Sequence, residues 1–278
     1  APRSHGQPAF PIGTDSLTPL LVAFIFVHSR VPPVFLIRLV SHEFSSPCRC
    51  EVFDAYFDPE RLEHIANEII SVVNLGVQVS LVIGGGNIFR GNMAESWGIE
   101  RAEADNIGIL ATVINSLMLR GVLKAKTNKE VRVMTAIPIT SVAEPYIRLR
   151  AIHHLEKGYI VIFAGGNGQP YVSTDYPSVQ RAIEVNCEAL LVAKQGVDGV
   201  LNADPKHDKG ARKYRSLHYN DVLKHNLLVM DQSAFILARD FNLPMHVFNF
   251  DKPGSMKEIC EGKNNGTLIS GESVLELE

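Results

Sequence analysis

From Asp58 onward the chain alternates short apolar runs with segments of helical period, and this alternation restricts the fold more than any other feature. "DPERLEHIANEIISVVNLG" sets Asp58 as an N-cap, Pro59 at the first helical position, Leu62, Ile65, Ala66, Ile69, Ile70 and Val73 on one face, and Gly76 where the helix stops. "VQVSLVI", residues 77–83, comes next and is too apolar to be wetted on both faces of a sheet. Further helical patterns then alternate with the strand-like runs "VRVMTAI", "YIVIFAGG", "ALLVAKQ", "MHVFNF" and "GTLIS". The series predicts an α/β fold whose mainly parallel sheet carries helices on both faces.

Directly behind the 77–83 run stands "IGGGNIFRG", three consecutive glycines, an aromatic residue, Arg90 and a fourth glycine. Glycines that end a parallel strand and open a helix lie at the carboxyl edge of the sheet, where open α/β folds bind ligands and helix N–H groups can face an anion. Without Cβ atoms at Gly84, Gly85 and Gly86, phosphate oxygens can approach the backbone, and Arg90 offers bidentate donors. The blander reading is a tight turn with Arg90 on a solvated face. The loop is not a Walker A motif, which needs Lys-Ser or Lys-Thr where Asn92 and Met93 stand. A dinucleotide fingerprint would need glycine where Phe89 stands, although Asp105 lies near the distance expected of a ribose-binding acid.

With 278 residues, 46% of them hydrophobic, the chain can bury a substantial core, and 27 basic against 30 acidic residues leave a net charge of −3. No global basic field recommends nucleic acid as a partner, so an anion site has to be local. Cys48, Cys50, Cys187 and Cys260 form no C-x-x-C pair and read as free thiols. His153 and His154 adjoin on one helix and face apart, which disfavours chelation. Trp97 reads as packing beside the glycine loop, and "KGARKYR" as a solvated loop. Residues 1–54 read as a divergent leader, the remnant of a transit segment or a secretory h-region. Its apolar run over 20–27 is far short of the ~20 residues that cross a bilayer. Residues 55–278 read as the folded domain, intracellular and soluble, in cytoplasm or plastid stroma.

Several blocks in order, "IGGGNIFRG", "RAEADNIGILATVINSLML", "AIPITSVAEPYI", "VDGVLNADPKHD", "LLVMDQSAFILARDFNLPMHVFNFDKPG" and "GTLIS", closely resemble uridylate kinases of the amino acid kinase family over roughly residues 55 to 270. The resemblance implies an α/β/α sandwich, transfer of the ATP γ-phosphate to UMP with Mg2+, and assembly as a homohexamer, with neither membrane nor nucleic acid as partner. By position, Gly85 corresponds to a UMP contact, Gly84, Gly86 and Arg90 to the ATP-phosphate side, and Asp105 to the acceptor of ribose hydroxyls. "GGNGQPYVSTD" corresponds to the segment that wraps uridine and its phosphate, which assigns Asn167, Gly168, Ser173 and Thr174 to UMP. "AKQGVDGVLNADP" resembles the ATP turn and assigns Lys194, Gln195, Leu201 and Asp204 to it, with Gln195 and Leu201 standing where the family has threonine and tyrosine. Asp204 is equally compatible with ordinary turn chemistry. Asp231 matches the family acid near the transferring phosphate, and also fits the N-cap of the helix after it.

The family's "KLSGE" strand end has only a distorted echo here, "FLIRLVSHEF", with Arg38 in place of the lysine and His42 in place of the glycine. Phosphoryl transfer depends on positive charge around the equatorial oxygens, and arginine keeps charge without keeping shape. Two alternatives to an active kinase therefore stand: a non-catalytic nucleotide-binding subunit, and a sister kinase acting on a small carboxylate or carbamate.

Overall fold

The computed structural model describes residues 34–39 (backbone only), 58–89, 94, 96–203, 208, 210–227 and 229–278. Among the described residues ten strands form one sheet: β1 (Val34–Leu39), β2 (Gln78–Ile83), β3 (Val131–Thr135), β4 (Glu144–Pro145), β5 (Ile160–Ala164), β6 (Leu190–Lys194), β7 (Tyr214–His218), β8 (Met245–Asn249), β9 (Thr267–Ser270) and β10 (Glu276–Leu277). Between them lie helices α1 (Pro59–Val73), α2 (Arg101–Lys126), α3 (Arg148–Glu156), α4 (Asp175–Glu184), α5 (Tyr219–Lys224), α6 (Gln232–Asp240) and α7 (Ser255–Cys260). The strand order is β10-β7-β9-β8-β6-β1-β2-β5-β3-β4. Of these neighbouring strands, the β8–β9 and β10–β7 pairs run antiparallel and the rest parallel.

Local chemistry accounts for the elements. Asp58 caps α1 by accepting the N–H groups of Glu60 and Arg61, and Pro59 opens the helix. Gly76 closes the turn after α1 at φ +83, a conformation that favours glycine. β2, β5 and most of β6 are buried residue by residue, as strands covered on both faces must be. Helix α1 packs on α2 and α7, while α4 packs on α6 and α6 on α5. Residues 34–39, which fall within the expected leader, supply the strand between β2 and β6, so the sheet draws on sequence before residue 55.

After Asp58, four elements fall outside the alternation that the sequence displays: β4, β7, α5 and β10. The basic run "KGARKYR" does not end as a loop. Its last two residues enter β7, where Tyr214 and Leu217 are buried against the sheet. The two edge strands, β4 and β10, have two residues each, too few to show a period of their own.

Register defines the functional edge. Leu39 pairs with Ile83, Val82 with Phe163, and Lys194 with Asn249, so β1, β2, β5, β6 and β8 all end on the same side of the sheet. The sheet extends one way from β1 through β2 to β5 and the other way from β6 to β8. Open α/β sheets bind ligands at such a reversal, outside the carboxyl ends of the strands.

Candidate active site

A cleft at this edge is lined by Gly85, Gly86 and Phe89 after β2, by Ala104, Asp105, Gly108, Ile109 and Thr112 of α2, and by residues of the 165–174 segment after β5. The glycines of the first loop lead into a turn over 86–88, in which the N–H groups of Ile88 and Phe89 both return to the Gly85 carbonyl. Gly85 lines the cleft, and the structure adds a second reason for glycine there. A Cβ there would lie 2.6 Å from the Gly108 carbonyl oxygen and 2.8 Å from the Ala111 Cβ, so helix α2, and not a ligand, occupies the space a side chain would need. Gly84 sits behind the cleft, its carbonyl accepting from the Asn115 side chain at 2.8 Å.

Asp105 stands on the cleft wall. One carboxylate oxygen accepts from Arg101 Nε at 2.9 Å and the other from the Tyr171 backbone N–H at 2.7 Å, which ties α2 to the 165–174 segment. Within that segment Gly165, Gly166 and Gly168 all have positive φ, and so does Tyr171 at +64. A bulky residue held in that region is strained, and the Asp105 bond to its N–H helps fix it there. Asn167 and Thr174 line the cleft; Gly168 instead faces Ala136 and Ile137, and Ser173 reaches sideways to Asp231. Arg181, 6% exposed, braces the segment from behind. It donates to the Gly166 carbonyl at 3.3 Å and to Glu184 at 2.6 Å, with its guanidinium 3.8 Å from the Tyr146 ring centroid. Burial and Glu184 push the Tyr146 hydroxyl up, so it stays a donor to Glu184.

Asp231 precedes α6 at the N-cap position, yet its carboxylate makes no capping bond. It accepts the Ser173 hydroxyl proton, and its own N–H donates to the buried Asp175 at 2.8 Å. Lys194, at the end of β6, donates to the Val229 carbonyl at 2.6 Å, two residues before Asp231. Gln195 comes next, its side-chain amide oxygen buried and, among the described residues, without a hydrogen-bond partner, and Leu201 is paired to Lys213 by an isolated antiparallel bridge. Leu201 therefore offers no aromatic face for a base. Arg38 is the penultimate residue of β1, opposite Val82, with its side chain outside the described residues. Arg90 and Asp204 also lie outside them.

The chain matches the amino acid kinase family over residues 55–249. It is 59% identical over 214 residues to the uridylate kinase of Frankia casuarinae (strain DSM 45818 / CECT 9043 / HFP020203 / CcI3), a match that covers 77% of this chain and 83% of that protein. The chain belongs to the amino acid kinase family. The uridylate kinase of Paramagnetospirillum magneticum (strain ATCC 700264 / AMB-1) is 50% identical over 77% of this chain and 89% of its own. The crystal structure of UMP kinase from Bacillus anthracis superposes with a TM-score of 0.77 at 70% identity, covering 79% of this chain and 90% of that one. The UMP kinase of Ureaplasma parvum superposes at 0.74 with 35% identity, covering 78% and 92%. The sandwich seen here is thus the amino acid kinase fold.

Sequence motifs alone did not mark several residues of the site. Thr112, buried in α2, accepts the Gly165 N–H at 2.7 Å and donates to the Ile109 carbonyl at 2.7 Å, so one hydroxyl joins helix, strand end and turn. Asn115, one turn further on, exchanges hydrogen bonds with Asn87. Polar residues three apart on an otherwise apolar helix face are the signal that marks this pair. Asp175 and Arg181 carry no such mark, since charged residues in a helix usually face solvent. Trp97 is not packed inside. It is 63% exposed, with its ring tilted against that of Phe89, a residue that lines the cleft, at a centroid separation of 6.4 Å. His154 pairs with Glu144 at 3.0 Å, away from its neighbour His153. Cys187 and Cys260 are free thiols; Cys48 and Cys50 lie outside the described residues.

Proposed function

We propose that this chain transfers the γ-phosphate of ATP to UMP, giving ADP and UDP. The observation that carries the proposal is that Asp105, the 85–86 turn and the 165–174 segment converge on one cleft at the carboxyl edge of the sheet, with Asp231 bonded to that segment. Asp105, Asn167 and Thr174 line that cleft; in this reading Asp105 accepts ribose hydroxyls, and Asn167 and Thr174 donate to the base or phosphate of UMP. Gly86, Arg90, Lys194 and Gln195 fall to the ATP side, with Arg90 and Arg38 as cations for the transferred group and Asp231 as the acid that organises it. A UMP phosphate oxygen attacks the γ-phosphorus, and the bond to the β,γ-bridging oxygen breaks as ADP leaves. A phosphate monoester is already anionic near neutral pH, so no general base is required.

ATP arrives as its magnesium complex. Among the described residues no group of three or more His, Cys, Asp or Glu side chains could hold a metal by itself. Magnesium bound to ATP is held through phosphate oxygens, water and one or two carboxylates, and Asp231 is the carboxylate assigned to it in this reading. Residues Ile107, Leu110 and Ile114 form an exposed apolar stripe on α2, whose other face buries Ala111, Leu119 and Leu123. The helix has the length and apolar composition to cross a bilayer, but that buried face holds it on the sheet. Such a stripe supports assembly into a homo-oligomer, the homohexamer expected of this family. Cytoplasm and plastid stroma are the compartments proposed for it, both supplied with ATP.

A coupled assay of the whole chain with ATP, Mg2+ and UMP, run beside a UMP titration, tests the proposal. UDP formation is expected. Saturable UMP binding with no UDP above background would make the chain a nucleotide-binding subunit instead.

A further inference from the structure

Ser173, Asp175 and Asp231 close a ring of hydrogen bonds across two segments more than fifty residues apart. The Asp175 N–H donates to Ser173 Oγ at 3.1 Å, the Ser173 hydroxyl donates to Asp231 Oδ2, and the Asp231 N–H returns to Asp175 Oδ2 at 2.8 Å. Asp175 is buried, which anchors the ring, while Ser173 and Asp231 are exposed at its open side.

A serine hydroxyl has one proton and two lone pairs to distribute. In Ser173 an N–H already occupies one lone pair, and the only proton is given to the Asp231 carboxylate, which can accept but not donate. Val172 and Thr174, on either side of Ser173, both line the cleft. A phosphate monoester bound there is a stronger claimant for that proton than a carboxylate shared with solvent, because it carries more charge and more acceptor oxygens. The hydroxyl cannot serve both.

We propose that Ser173 is a positioning residue for Asp231: it holds the carboxylate until the acceptor phosphate takes its proton, and the released carboxylate then serves the magnesium complex of ATP. This rests on the UMP kinase reading above and adds to it a coupling between the two substrates. By linkage, each substrate then tightens the other by the same factor. Because the open side of the ring is in contact with water, that factor is about fivefold, the worth of one net hydrogen bond.

The test is calorimetric, on the whole chain, with the Mg2+ complex of a non-hydrolysable ATP analogue titrated with and without saturating UMP. In the unsubstituted protein UMP is expected to tighten the analogue by about fivefold. In Ser173→Ala the analogue should bind without UMP as tightly as it otherwise does with UMP, and the coupling should vanish. Ser173→Thr keeps the hydroxyl and should restore it. Coupling that persists in Ser173→Ala, or is absent from the unsubstituted protein, overturns the inference. UDP production by the unsubstituted protein alongside either result would show that only the inference has failed, and absence of both UDP and UMP binding would remove the kinase reading itself.

Discussion

The carboxylate of Asp105 accepts the backbone N–H of Tyr171 at 2.7 Å, across 66 residues of sequence. One side chain of α2 thereby fixes the position of the segment after β5, and with it the width of the cleft between them.

Replacing Asp105 with Asn keeps the shape and removes the charge. KM for UMP should rise about tenfold, as expected when hydrogen bonds to a charged acceptor are weakened. KM for ATP should hold. Deoxy-UMP, which lacks one sugar hydroxyl, offers the sharper comparison: preference for UMP over its deoxy form should shrink in Asp105→Asn, and an undiminished preference would remove Asp105 from the ribose.

Gly85→Ala should destabilise the fold by about 1–3 kcal/mol, because the added methyl meets the Gly108 carbonyl at 2.6 Å, and a helix backbone cannot give way as a flexible side chain can. Urea unfolding monitored by circular dichroism measures the loss. An unchanged midpoint would mean that α2 does not lie against this loop.

Thr112→Val is nearly isosteric but leaves the Gly165 N–H without its acceptor. The expected cost is about 1–3 kcal/mol in chemical unfolding, the penalty of an unsatisfied buried donor. Since Gly165 begins the UMP-side turn, KM for UMP should rise more than KM for ATP.

Burial, opposed by a backbone contact at Asn265, brings His246 down from the usual 6.5 to about 4. Between those values the unfolded chain binds a proton that the folded one refuses, so stability rises with pH across this window and is lost as pH falls through it. The contribution is about 3 kcal/mol. His246→Leu should flatten the dependence of unfolding free energy on pH between 6.5 and 4, whereas a slope equal to that of the unsubstituted protein would exclude this histidine as its source.

Leu110→Glu places a charge in the exposed apolar stripe of α2. Sedimentation should then show a smaller species than the unsubstituted protein at equal concentration, with the circular dichroism spectrum preserved. An unshifted sedimentation coefficient would locate the assembly surface elsewhere.

The main alternation of strands and helices from Asp58 onward, though not β4, β7, α5 or β10, was legible in the chain, as were the capped start of α1 and the place of the glycine loop at a strand end, because apolar period, N-cap chemistry and glycine punctuation are local properties. So was the family, carried by blocks in a fixed order. Tertiary structure alone decided what each marked residue touches. Gly85 reads as a bare stretch of backbone, but only the structure shows that a helix starting sixteen residues later occupies the place a side chain there would take. Asp231 stands at the N-cap position that the sequence allows it, but its carboxylate goes to Ser173, 58 residues away, and Arg181 turns inward to hold the Gly166 carbonyl. Contacts of this kind arise only when the sheet brings distant strand ends to one edge, and no periodicity within either segment encodes which partner the other will present.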